Sequence, residues 1–157
     1  MNKYKNNINM YLHNDILGEI LLNIENLQDK INFCKINKEF YKINGLKIIA
    51  IQRRSKYLLI NLNKDITILV HLGMTGKFFI TDNKKRYKTS FYYSLKKNDK
   101  KHDHLTLFFN KKIKLIYNDV RKFGFIKIFS SKDVFNCKHL FSLGPEPLSN
   151  NFNLNYF

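Results

Sequence analysis

The chain has 157 residues, 44% of them hydrophobic, enough for one domain with its own core. Its 28 Lys and Arg against 12 Asp and Glu give a net charge of +16, a field that draws polyanions, either nucleic acid or an anionic membrane surface. No apolar run approaches the roughly 20 residues of a spanning helix, the start MNKYKNN has no signal core, and two distant cysteines, Cys34 and Cys137, make no disulfide framework, which together predict a cytoplasmic protein without a membrane.

In chain order, Ile8, Tyr11, Leu12 and Ile16 share one helical face, predicting an N-terminal helix that Gly18 ends. Residues 19–27, EILLNIENL, predict a strand, and KINKEFYKI (35–43) a short helical turn. From residue 46 the period becomes two. LKIIAIQRR (46–54), KYLLINL (56–62), ITILVHL (66–72), KFFIT (77–81), HLTLFF (104–109), KIKLIY (112–117) and FIKIF (125–129) are short and rich in β-branched or aromatic residues. Turn residues separate them, including Asn63 to Asp65, Gly73, Asp82-Asn83 and Asn118-Asp119. About eight short strands at this spacing predict a sandwich or a barrel, mainly β with flanking helices. Residues 83–103 are cationic with interleaved tyrosines and read as one long mobile loop. Residues 143–157, LGPEPLSNNFNLNYF, read as a connector following a main domain of residues 1–142.

Alternation assigns faces. Leu58, Ile60 and Leu62 point one way, and extending that row backwards puts Lys56 on the buried side at the strand's mouth. A buried lysine becomes a base or nucleophile because burial disfavours the ammonium. A rim lysine instead covers the core with its stem and keeps its amine wet. Ile66, Ile68, Val70 and Leu72 point inward, so His71 leaves on the other face, just before Gly73-Met74-Thr75-Gly76. Met74 is either an apolar wedge at a tight turn or a loop residue packed back on the core. His102-Asp103-His104 has no third ligand nearby and carries no metal expectation. Arg121-Lys122-Phe123 offers two cations and a bare ring before Gly124. That combination suits entry into a duplex, where a cation binds phosphate or a base edge and a ring fills stacking space. Met74 and Phe123 sit on the tips of two separate hairpins in this reading, and they act together only if those tips meet.

Five blocks occur in order: QRRSKYLLINL (52–62), VHLGMTGKF (70–78), KHDHLTLFF (101–109), YNDVRKFGF (117–125) and LGPEPLSNNF (143–152). They resemble the N-terminal domain of bacterial formamidopyrimidine-DNA glycosylases, which excise oxidised purines. The resemblance implies a two-sheet β-sandwich with an N-terminal helix and flanking helices. It implies base excision with strand cleavage at the abasic site through a Schiff base. Lys56 falls on the family's β-elimination lysine. Met74, Arg121 and Phe123 fall on the side chains that fill the space left by an extruded base, and the arginine pairs with the opposite cytosine. His102 and His71 fall on DNA contacts, with Lys122 beside them in the basic motif. The implied partner is double-stranded DNA with a damaged base or abasic site, bound by a monomer at the nucleoid.

The chain departs from the pattern in places. Val120 replaces a proline and Lys122 an arginine, which frees one φ and loses bidentate geometry while keeping the charge. Asn2 stands where the family has its proline nucleophile, and no glutamate follows it. The family's helix–two-turn–helix and zinc finger would follow residue 157, so no cofactor is expected in this chain and a separate C-terminal half is a candidate partner. The alternative function is a non-catalytic member that binds damaged DNA. A remaining reading, set apart from the family, is a basic β-barrel binding single-stranded RNA through its rings.

Overall fold

The computed structural model describes residues 33–34, 38–81, 86–88, 100–109 and 113–156. The expected N-terminal helix over 8–16 and the expected strand over 19–27 lie outside them. The strands are β1 (Phe33–Cys34), β2 (Ile48–Arg54), β3 (Tyr57–Leu62), β4 (Ile66–His71), β5 (Lys77–Thr81), β6 (Arg86–Lys88), β7 (Asp103–Phe108), β8 (Lys114–Asn118) and β9 (Phe125–Ser130). Among the described residues the helical segments are all short 3-10 turns, the longest being Lys38–Ile43, where a helical turn was expected.

Two antiparallel sheets result. One runs β1-β7-β8-β5-β6 and the other β2-β3-β4-β9. The faces follow the alternation. Ile51, Ile60, Leu62, Ile68 and Val70 meet Phe78, Ile80, Leu105, Leu107, Leu115 and Tyr117 in the core between the sheets. Each such side chain removed from water is worth about 1.5–3 kcal/mol. The outer face of the four-stranded sheet is covered too. Leu59 and Leu69 pack there with Val134 and Leu140, and Tyr57, Phe125, Phe129, Cys137 and Leu143 surround them. Burial on both faces explains why β3 and β4 read as near-continuous apolar runs.

The stretch 83–103 is not one loop. Arg86–Lys88 pairs with Phe79–Thr81 as an edge strand, and β7 already begins at Asp103. The sequence hides β6 because two of its three residues are cationic. Arg86 holds it in place: its guanidinium lies 3.8 Å from the Phe79 ring centre and grips Asp103 with two hydrogen bonds of 2.9 and 3.2 Å.

Register fixes what lies at each end of the sandwich. Tyr57 stands opposite His71, and His71 opposite Phe125. In the other sheet Lys77 and Asp103 both flank Asn118. The chain crosses between sheets twice beyond these rows, from β4 to β5 through residues 72–76 and from β8 to β9 through residues 119–124. Met74 and Phe123 therefore sit on two crossovers rather than on the tips of hairpins. The turn between β2 and β3, carrying Ser55 and Lys56, borders the same row.

Candidate nucleic-acid interface

The two crossovers are joined by one side chain that sequence pattern did not single out. Asp119 is 0% exposed. Its carboxylate accepts hydrogen bonds from the Thr75 hydroxyl (2.5 Å), the Tyr117 hydroxyl (3.0 Å) and the backbone N–H groups of Gly124 (2.9 Å) and Arg121 (3.2 Å). Its own N–H donates to the His102 carbonyl at 3.1 Å, and its carbonyl lies 2.7 Å from Nε2 of His104. Burial alone would raise this carboxyl. The bonds from Thr75, Gly124, Tyr117 and Arg121 outweigh burial and hold it below the usual carboxylate range. The Tyr117 phenol is pushed up by its own burial, then by its hydrogen bond to Asp119 and by that negative charge.

The backbones also touch. Gly73 has φ +64°, and a Cβ there would stand 2.8 Å from both the Gly124 nitrogen and the Phe123 carbonyl carbon. A Cβ on Gly124 would meet the Tyr117 hydroxyl and lie 2.6 Å from the His71 carbonyl oxygen. Only bare backbone fits at this crossing.

Three side chains project from it into solvent. Met74 is 75% exposed and Phe123 56% exposed, and Arg121 is exposed as well. Met74 therefore does not pack back on the core. The Arg121 guanidinium lies 4.4 Å from the Phe123 ring centre, and its Nη1 donates to the Met74 sulfur at 3.7 Å. The thioether, guanidinium and phenyl form one cluster. Lys122, exposed beside them, adopts the left-handed region at φ +56°, which turns the chain between Arg121 and Phe123.

The other expected residues lie around this cluster. His102 is half-buried in its 3-10 turn and tied to Asp119 through its carbonyl. Its neighbours have separate partners: Asp103 takes Arg86 and the Asn118 amide (2.7 Å), and His104 takes the Asp119 carbonyl. Among the described residues no three His, Cys, Asp or Glu side chains gather as a metal site. His71 is half-buried, with its ring centre 5.1 Å from Tyr57 and 5.6 Å from Phe125. The Phe125 ring also lies 4.5 Å from His139, which accepts a 3.0 Å hydrogen bond from the Lys127 ammonium. Burial, then Lys127, Lys138 and His71, keep His139 below the usual imidazole range.

Lys56 differs from its expected placement. It is exposed, in the turn between β2 and β3, not on the buried side. Ser55 at φ +52° breaks the extended backbone two residues before the strand begins at Tyr57, so the alternation cannot be carried back to Lys56. Lys56 lines a cleft of about 520 Å³ formed by Arg53, Arg54 and Ser55 on one wall and residues 143–148 on the other. Among the described residues no helix is long and apolar enough to cross a membrane.

Comparison with known proteins fits this geometry. Residues 6–126 match the family model of the formamidopyrimidine-DNA glycosylase N-terminal domain. The chain belongs to the formamidopyrimidine-DNA glycosylase family. It is 36% identical over 146 residues to the formamidopyrimidine-DNA glycosylase of Rickettsia felis, covering 92% of this chain and 48% of the relative. It is 33% identical over 118 residues to that of Rhodopseudomonas palustris, covering 74% and 40%. The chain thus spans less than half the length of these relatives. Among solved structures it resembles the Lactococcus lactis glycosylase bound non-covalently to DNA containing an abasic site (TM-score 0.66, 27% identity, 88% of this chain and 54% of that one). It also resembles the L. lactis enzyme in complex with DNA containing FAPY-dG (TM-score 0.63, 28% identity, 83% and 49%).

Proposed function

We propose that this chain acts in DNA base-excision repair in the bacterial cytoplasm, as an oxidised-purine glycosylase and abasic-site lyase working on duplex DNA. The observation that carries the reading is the solvent-facing cluster of Met74, Arg121 and Phe123, fixed by a buried carboxylate to two crossovers. Rotating a base out of a duplex costs a few kcal/mol. A thioether and a ring restore stacking contact in the gap, and the guanidinium between them meets the edge of the unpaired base opposite. Because the cluster exists before DNA arrives, binding spends little on ordering it. His71, His102 and Lys122 add contacts to the flanking backbone, with affinity that falls as salt rises.

Lys56 is an exposed amine at this end of the sandwich. In β-elimination an abasic aldehyde first condenses with an amine, losing water to form an imine. A base then removes the adjacent C2′ proton, and the C3′–O bond breaks to release the 3′ phosphate. Lys56, exposed beside the crossovers, serves that second step in this reading. Incubation with a duplex holding one abasic site and sodium borohydride tests it. The expected result is strand cleavage, together with a covalent protein–DNA adduct. Tight binding to the abasic duplex with neither adduct nor cleavage would favour the non-catalytic member instead. Equal competition by single-stranded RNA would remove both.

A further inference from the structure

We propose that Glu146 is a positioning residue for Lys56, locking the turn that presents the lysine to the abasic sugar; this rests on the lyase reading above. Oε1 of Glu146 accepts the Ser55 N–H at 2.7 Å and the Arg54 Nη1 at 2.8 Å, and Oε2 accepts the Arg53 Nη2 at 3.0 Å. Arg54 continues to the carbonyls of Leu143 (3.2 Å) and Gly144, and Arg53 closes back on the Ser55 carbonyl at 2.7 Å. Both residues before Ser55 and the Ser55 amide itself thus converge on one carboxylate that lies 91 residues later.

The need for such a lock is visible in the backbone. Ser55 sits at φ +52°, a conformation that a residue with a Cβ keeps only where its surroundings hold it. The next residue is Lys56. Its four-carbon stem is flexible, so the direction in which its amine starts is set by the turn alone. Proton removal from the sugar requires the amine within hydrogen-bond reach, and a displacement of about 1 Å can cost about 10²-fold in rate. Leu143 packs against the outer apolar cluster, so the segment carrying Glu146 is itself seated on the sheet. Burial raises the Glu146 carboxyl, but Arg54, the Ser55 amide and Arg53 outweigh it, so the group stays an anion at neutral pH.

The test uses the full chain and a duplex with a preformed abasic site. Glu146→Gln is isosteric and keeps one acceptor but loses the charge and the second anionic oxygen. It should slow single-turnover cleavage by about 10- to 100-fold, with affinity for a duplex holding a non-cleavable tetrahydrofuran site changed by less than about twofold. Added to Lys56→Ala, it should slow cleavage no further, because a residue acting through Lys56 has nothing left to position. Ser55 amide hydrogen exchange should accelerate in Glu146→Ala. An unchanged cleavage rate in Glu146→Gln, a further loss on top of Lys56→Ala, or unaltered Ser55 exchange would each overturn the positioning role while leaving the lyase reading intact. A wild-type chain that neither cleaves nor traps would instead overturn the lyase reading itself, and the positioning role with it.

Discussion

The crossover cluster and the Lys56 turn lie at the same end of the sandwich, and each is fixed by one carboxylate. They differ in where that carboxylate stands. Asp119 belongs to the crossover that it pins, is fully buried, and takes donors from both crossings. Glu146 comes from a distant, surface-lying segment and leaves about a quarter of its side chain in water. The Met74, Arg121 and Phe123 cluster is therefore part of the fold, present whenever the two sheets are assembled. The lysine turn is a docked feature that can be loosened while the domain stays folded.

The largest expected effect is on stability. Asp119→Ala leaves the Tyr117 hydroxyl and the Gly124 amide without their acceptor, at about 1–3 kcal/mol for each buried group. Urea unfolding should show a loss of more than about 3 kcal/mol, against less than about 1 kcal/mol for Glu146→Ala. Equal losses would erase the distinction between a built-in and a docked anchor. Next comes Arg121→Ala, which should leave stability unchanged and reduce discrimination among the four bases opposite an abasic site by about 1–3 kcal/mol, read from binding isotherms. Discrimination retained in that variant would move base reading away from the wedge.

Acid should act on both anchors in the same direction. Each carboxyl is held below its ordinary value in the fold. The stability each contributes is thus fully present above the unfolded carboxylate range, about pH 4, and is lost as pH falls through the lower folded value. Chemical denaturation should show a decline below about pH 4 that is less steep in Asp119→Ala. The smallest effect is expected at Lys122, whose φ of +56° suits glycine. Lys122→Gly should stabilise the fold by less than about 1 kcal/mol and make the slope of log affinity against log salt shallower by about 1.

Much of the sandwich is legible in the sequence because its strands alternate cleanly, and β5 runs over the same residues in pattern and in structure. The failures have local causes. Alternation continued one residue past β3 points Lys56 inward, and only the left-handed Ser55 shows where the pleat stops. β6 is three residues long and mostly charged, so pairing rather than pattern defines it. Met74, Arg121 and Phe123 could be picked out as residue types, but their meeting depends on two sheet crossings that no local spacing encodes. Asp119 is hidden for the same reason. An aspartate after Asn118 reads as a turn residue, and it becomes a buried hub only when Thr75 arrives from the other crossover. Glu146 looked like part of a connector because the partners that give it meaning are 91 to 93 residues away.

The most direct test of the wedge is a ratio of affinities. Binding of a tetrahydrofuran-containing duplex and of an intact duplex should be measured at one salt concentration for the wild type and for Met74→Ala/Phe123→Ala. Each stacked side chain is worth about 1–3 kcal/mol only where a base has left the helix. The preference for the damaged duplex should therefore fall at least about tenfold in the double variant, while affinity for the intact duplex stays nearly constant. A proportional fall on both duplexes, with the preference preserved, would show that these side chains only help hold the DNA backbone and do not fill the gap.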